Sequence, residues 1–97
     1  MSRLFAAILQ RGPAYQTSKP LEEQQEWEAH RVFMNGLQKE GFIVLGGPLE
    51  GTSEVLLIFR AASTEEIMSR WSEDPWVKLD LLRMSRIMPW DLRLGTI

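Results

Sequence analysis

Three short apolar runs constrain the fold of this chain more than any other feature, because none of them alternates between apolar and polar residues. The runs cover residues 4–9, 42–45 and 55–59, and Gly, Pro or polar residues follow each of them. Short apolar runs that end at turn residues are typical of β-strands buried on both faces. We therefore expect a sheet whose two faces both need a cover.

The first helix is predicted between the first and second runs. Pro20 suits the first turn of a helix, and Gly41 supplies a left-handed stop. The spacing predicts a helix over residues 20–40 after a polar loop at residues 14–19. Its apolar stripe consists of Trp27, His30, Met34 and Leu37.

The second half of the chain repeats the order of strand and helix. Gly46-Gly47-Pro48 lacks the helix and lysine of a phosphate loop, so we interpret it as a turn that ends the second strand. The pattern then predicts a hairpin, a capped helix over residues 64–72, a helical turn over 76–79 and a strand over 82–89. The tail at residues 91–97 is expected to pair as an edge or partner strand.

The predicted order is β-α-β-β-α-β, which is the ferredoxin-like α+β arrangement with both helices on one face of an antiparallel sheet. Apolar surface left in water on the other face would cost free energy comparable with the net stability of so small a domain. We therefore expect a homodimer, in which a second copy covers the open sheet face to form a dimeric α+β barrel.

Composition narrows the classes of function. Ninety-seven residues suit a single domain over residues 1–97. With no cysteine and one histidine, the chain lacks disulfides, thiol nucleophiles and a multi-histidine zinc site, so we expect no metal or cofactor. A net charge of −2 gives no basic surface for nucleic acid. We find no membrane-spanning stretch or signal-peptide profile and expect a cytoplasmic protein.

His30 and Asp74 are the candidate catalytic residues. His30 lies within the apolar stripe of the first helix, where it is either a core histidine with one hydrogen bond or a general acid/base oriented by a carboxylate. Asp74 precedes Pro75 and is either an ordinary helix cap or the partner of His30. The two roles of Asp74 are compatible, because a cap uses one carboxylate oxygen.

Arg11 and Trp76 are the candidate substrate-binding residues. Arg11 ends the first strand beside Gly12-Pro13 and is suited either to an anionic substrate group or to the surface. Trp76 is either core or part of an aromatic wall beside His30 for a planar ligand.

The order of several short motifs resembles the YciI-like (YCII-related) family over nearly the whole chain. The motifs are Arg11-Gly12-Pro13, Glu28-Ala29-His30, Phe33-Met34, Leu37, Glu40-Gly41-Phe42, Gly46-Gly47-Pro48-Leu49, Glu73-Asp74-Pro75-Trp76 and Ile87-Met88-Pro89-Trp90. The resemblance implies a dimeric α+β barrel and a His30–Asp74 active-site dyad. One member of the family removes chloride from a chlorinated hydroxyhydroquinone, and relatives with this barrel isomerise lactones or oxidise polycyclic phenols.

Three hypotheses for the function follow. The first is a cofactor-free lyase or isomerase that moves a proton on a small, aromatic or enolisable substrate. The second is a non-catalytic dimeric domain that binds a small molecule or serves as an accessory domain, and the third is a structural dimerisation module. The resemblance favours the enzyme, although a reaction taken from a shared fold is an analogy.

Overall fold

One four-stranded antiparallel sheet and three helices make up the computed structural model, which describes residues 1–97. The strands are β1 (Arg3–Arg11), β2 (Ile43–Pro48), β3 (Glu54–Ala61) and β4 (Leu82–Pro89), and the helices are α1 (Trp27–Lys39), α2 (Thr64–Trp71) and α3 (Pro75–Lys78). The strand order in space is β2-β3-β1-β4. The predicted ferredoxin-like α+β arrangement is confirmed. None of the helices has the length and apolar character to cross a membrane.

The core lies between the helices and one face of the sheet. Phe5, Ala7 and Leu9 of β1 alternate along the strand, as successive side chains must, and each is at most 3% exposed. Their pairing with β3 places Phe59 opposite Phe5 and Leu57 opposite Ala7 on the same face. The helices add Leu37, Ile67, Trp71 and Trp76 to this core.

The opposite face of the sheet is also apolar along β1 and β3 at its centre, with Arg86 of β4 beside Ile8. Ile8 of β1 lies opposite Leu56 of β3, and both are only partly buried. Leu45 and Met88, on the two outer strands, are 44% and 40% exposed. Strands that are apolar on both faces are therefore confirmed, whereas the second copy expected to cover this face stays a prediction.

Helix α1 begins at Trp27, so the prediction of a helix from residue 20 is wrong at its start. Residues Leu21–Glu23 form a separate short 3-10 turn, and Glu26 has a left-handed φ of 57° that interrupts the helix. The cause is Gln24, whose buried side chain bonds to the loop before it. Its Oε1 accepts from the Gln16 N–H at 2.9 Å, and its Nε2 donates to the Gln16 carbonyl at 2.7 Å.

The Gly46-Gly47-Pro48 segment is the end of strand β2, so its interpretation as a turn is wrong. β2 lies at the edge of the sheet, where a proline that cannot donate a hydrogen bond is tolerated. A Cβ on Gly46 would lie 2.4 Å from Leu57 Cδ2, so glycine allows the two strands to pack closely here. The turn of this hairpin follows at residues 49–53, where Gly51 has a φ of +80°.

The C-terminal tail does not add a strand to the sheet of its own chain, contrary to the prediction of an edge strand. Its pairing stops after the Trp90 N–H donates to the Leu4 carbonyl at 2.9 Å. Gly95 turns the chain with a φ of 85°, and the Arg60 guanidinium donates to the Ile97 carbonyl at 3.1 Å. A strand paired with a partner molecule stays a prediction.

Gly12 and Gly36 give a matched pair of tests of this packing. A Cβ on Gly12 would lie 2.2 Å from the Asp80 carbonyl oxygen, whereas a Cβ on Gly36 in helix α1 would meet nothing within 4 Å. We expect Gly12→Ala to lower the free energy of unfolding by about 1–3 kcal/mol because backbone must move. Gly36→Ala should raise it by about 0.5–1 kcal/mol. Urea unfolding measures both, and equal effects of the two substitutions would contradict the packing described here.

Candidate active site

His30 and Asp74 meet in the interior although 44 residues separate them in the chain. His30 Nδ1 lies 2.8 Å from Asp74 Oδ2 and 3.0 Å from Oδ1. Asp74 is completely buried, and the His30 side chain is 11% exposed. A buried carboxylate is costly without partners, so this contact fixes how α1 sits against the start of α3.

Asp74 is at the same time the N-cap of α3. Its Oδ1 accepts the Trp76 N–H at 3.0 Å, and Pro75 occupies the first turn of the helix. Such a cap satisfies one of the free N–H groups at a helix start. The structure thus combines the two roles that the sequence left as alternatives, a cap and a partner for His30.

Trp76 lies flat against the imidazole ring of His30. The ring centroids are 3.9 Å apart and the planes differ by 4°. Trp76 Nε1 donates to the Gln25 carbonyl at 2.7 Å, in the loop before α1. Because both the indole and the carboxylate are held in place, the His30 ring is fixed in position and in plane.

The second nitrogen of the His30 ring, Nε2, forms no hydrogen bond within the protein. Among the fully buried side-chain nitrogen and oxygen atoms, only Trp71 Nε1 lacks a hydrogen-bond partner. Nε2 of His30 also lacks one, so it is not fully buried and is accessible from the cleft. A carboxylate only accepts hydrogen bonds, so Nδ1 carries the proton of the neutral ring and Nε2 has a free lone pair. This is the arrangement in which a histidine acts as a general base.

Nε2 is accessible because His30 lines a cleft of about 200 Å³ between α1 and the sheet. We call this space the dyad cleft. Its apolar walls are Leu9, Leu21, Trp27, Met34, Val55, Leu57, Trp76 and Leu82, and its polar or backbone lining is Arg11, His30, Arg31, Asn35, Gly46, Gly47 and Pro48. The cleft is therefore suited to a small, largely apolar molecule with a few polar groups.

Three of the four predicted site residues, Arg11, His30 and Trp76, line this cleft, and the fourth, Asp74, is buried behind His30. His30, Asp74 and Trp76 form one connected group, and Arg11 lines the cleft from the end of β1. The Arg11 guanidinium lies over the Tyr15 ring, 4.4 Å from its centroid. The roles predicted for these residues in catalysis and substrate binding stay predictions.

Arg31, Asn35 and the glycines of β2 also line the cleft, and they were not among the residues predicted from the sequence. Arg31 and Asn35 are four residues apart in α1 and therefore lie on one face of the helix. His30 and Met34 have the same spacing and lie on the adjacent face, so all four residues reach the cleft. This spacing was a signal available in the sequence. Gly46 and Gly47 could not be predicted as lining residues, because they were interpreted as a turn and not as part of strand β2.

Arg31 forms an exposed ion pair with Glu28 beside the cleft. Its Nε donates to Glu28 Oε1 at 3.1 Å, and its Nη2 contacts the same oxygen. This hydrogen bond lowers the pKa of the Glu28 carboxyl and raises the pKa of Arg31. No three side chains of His, Cys, Asp or Glu lie close enough together to hold a metal ion.

The fold and the buried pair together define a ferredoxin-like α+β domain that carries a His–Asp pair at a small cleft. The model of the YCII-related domain matches residues 4–91, and the chain belongs to this family. No curated protein sequence matches the chain.

Two of the solved structures that match the chain illustrate the shared fold. One is the 5-chloro-2-hydroxyhydroquinone dehydrochlorinase TftG from Burkholderia phenoliruptrix AC1100 in complex with 2,5-dihydroxybenzoquinone, at 23% identity and a TM-score of 0.59 over 95% of each chain. The other is protein YJCS, at 15% identity and a TM-score of 0.58 over 96% of this chain and all of the other. At these identities the similarity shows the fold.

The geometry predicts the tautomer of His30. In the neutral ring the proton should be on Nδ1, because Asp74 accepts from that atom, and ¹⁵N chemical shifts of the imidazole at mildly alkaline pH measure this. Asp74→Asn should weaken the preference, since an amide presents either an oxygen or an N–H group. Asp91→Asn, at an exposed carboxylate in the tail, is the control. A proton found mainly on Nε2 in the unchanged protein would contradict the arrangement.

Proposed function

We propose that this protein is a cofactor-free enzyme of the lyase or isomerase type, in which His30 and Asp74 act as a catalytic dyad on a small aromatic or enolisable substrate. The observation that carries the proposal is the free Nε2 of His30 at the cleft, opposite an Nδ1 that bonds to a buried carboxylate. A base held in this way takes up a proton without first reorganising its surroundings.

The proposed chemistry is a proton transfer. Nε2 accepts a proton from an O–H or an acidified C–H of the substrate, and the imidazolium that forms is stabilised by the Asp74 carboxylate. In an isomerase the same proton is returned to another atom of the substrate. In a lyase the electron pair that the proton leaves behind forms a new π bond as a leaving group such as halide departs with its own bonding electrons, and the imidazolium then releases its proton to water.

The cleft supports a planar substrate. Its walls are mainly apolar, and Trp27 stands 5.9 Å from His30, measured between ring centroids. The structural neighbour TftG is a dehydrochlorinase in complex with a dihydroxybenzoquinone, which makes a ring of this size a reasonable probe. We propose Arg11 as a contact for an anionic group of the substrate, and Trp76 both as a contact at the cleft wall and as the residue that positions His30.

Proton exchange tests the proposal without knowledge of the natural substrate. The ring C–H groups of 2,5-dihydroxybenzoquinone, the compound bound to TftG, exchange with D₂O, and ¹H NMR follows the loss of their signals. We expect the protein to accelerate this exchange, and we expect His30→Gln to remove about 10²–10⁴-fold of the acceleration. Asp74→Asn should also slow the exchange, while Glu50→Gln in the hairpin turn should not.

Chloride release from 5-chloro-2-hydroxyhydroquinone, the substrate named for TftG, gives a second readout with the same variants. If the protein binds either compound without accelerating exchange or release, the non-catalytic binding domain is the better description. An acceleration that survives His30→Gln would show that the proposed base is wrong.

We also propose that the protein is a homodimer, with the open faces of two sheets packed together. The support is the apolar face around Ile8 and Leu56, which the chain itself leaves partly exposed. A contiguous apolar face of this kind is usual at interfaces between protein molecules. The cytoplasmic location expected from the sequence remains part of the proposal.

The dimer is tested by placing a charge in the middle of the open face. Ile8→Lys should convert the dimer into a folded monomer in sedimentation velocity, because the ammonium group would be buried without a partner. Val32→Lys is the matched control, since Val32 is 58% exposed on the outer surface of α1. A wild-type protein that sediments as a monomer at micromolar concentration would contradict the proposal.

A further inference from the structure

The charged residues that line the dyad cleft are all basic. The lining residues include Arg11, Arg31 and Asn35 together with His30, and they include no Asp or Glu. Asp74 lies behind His30 and is fully buried, so its charge is directed to the imidazole and not to the cleft. A ligand in this cleft therefore meets positive charge in apolar surroundings, where electrostatic attraction is stronger than in water.

The guanidinium group of Arg11 forms no ion pair within the chain. No Asp or Glu carboxylate lies within 4.0 Å of its guanidinium, as is also true of Arg3, Arg60 and Arg86, whereas Arg31, Arg70, Arg83 and Arg93 each pair with one. Its contact is instead the face of the Tyr15 ring, at 4.4 Å from the centroid. Stacking on Tyr15 holds the guanidinium plane in place and leaves its N–H groups able to donate to an anion.

Arg31 is a second cation whose present partner is easily exchanged. Its side chain is 46% exposed and that of Glu28 is 70% exposed, so the ion pair between them is solvated and weak. Both partners belong to the first turns of α1, and Arg31 lines the mouth of the cleft beside His30. A ligand anion inside the cleft would compete with Glu28 for the same guanidinium.

We propose that the dyad cleft selects small planar anions, namely single rings that carry a carboxylate or a phenolate, through Arg11 as a fixed countercharge and Arg31 as a second one released from Glu28. The volume of about 200 Å³ supports one ring with substituents, since an engineered cavity of roughly 150 Å³ in another protein holds benzene. The proposal deepens the proposed function, because it names the substrate class of the same cleft.

Benzoate and benzamide form the test pair, because they have nearly the same size and shape and differ in charge. ¹H–¹⁵N NMR titration of the full chain gives the Kd of each compound. Benzoate should bind about tenfold more tightly than benzamide, as expected for a charge-assisted hydrogen bond. The preference should shrink as salt is added, because screening weakens the attraction of the benzoate charge.

The variants separate the two arginines. Arg11→Gln should remove about tenfold of the benzoate affinity and leave benzamide unchanged, which also shows that the cleft remains folded. Glu28→Gln should strengthen benzoate binding about twofold, because Arg31 loses its competitor. Arg93→Gln and Glu50→Gln, which change charges away from the cleft, should alter neither affinity.

The outcomes distinguish this proposal from the proposed function. Equal binding of benzoate and benzamide, or no binding of benzoate, would show that anion selection is wrong, whatever the exchange experiment finds. A charge preference that survives Arg11→Gln and is insensitive to Glu28→Gln would also overturn it. Absence of proton exchange with the charge preference intact would instead contradict catalysis and leave anion selection standing.

Discussion

The buried carboxylate of Asp74 is the constraint on which the arrangement of the candidate site depends. A charged group in the interior must find donors, and the two available are His30 Nδ1 and the Trp76 N–H. The contact with His30 links Asp74 to α1, and the contact with the Trp76 N–H caps the start of α3. The Asp74 side chain therefore fixes the position of α3 relative to α1. Trp76 then closes the group by stacking on His30 and bonding to Gln25 in the loop before α1.

The hydrogen bonds among Asp74, His30 and Trp76 also determine which polar atom of the site is left without a partner. Every strong hydrogen-bonding atom of Asp74 and Trp76 is occupied within the protein, and Nδ1 of His30 is occupied as well. The remaining nitrogen, Nε2 of His30, lies at a cleft with apolar walls. Rigid partners on one side and an open position on the other are what a preorganised proton acceptor requires.

The sequence was informative where local rules decide the structure. The cap at Ser63, whose side chain accepts from the Glu66 N–H, and the Asp74-Pro75 start predicted α2 and α3 to within one residue, and the strand predicted over residues 82–89 coincides with β4. Predictions failed where distant contacts decide: Gln24 ends the 3-10 turn through bonds to Gln16, and Gly46 continues a strand because it packs on Leu57. Periodicity placed His30 facing the sheet, but no local pattern reveals a parallel stack with Trp76.

The proposed reaction and the proposed anion recognition depend on groups in different physical environments of the same cleft. His30 and Asp74 are buried and hydrogen-bonded to each other, so a substitution at either residue lowers the stability of the fold as well as affecting the proposed chemistry. Arg31 and Glu28 lie on the exposed side of α1, where substitutions have small effects on stability. Substrate preference in such a domain can therefore change at residues like Arg31 while the positioning of His30 by Asp74 and Trp76 is kept.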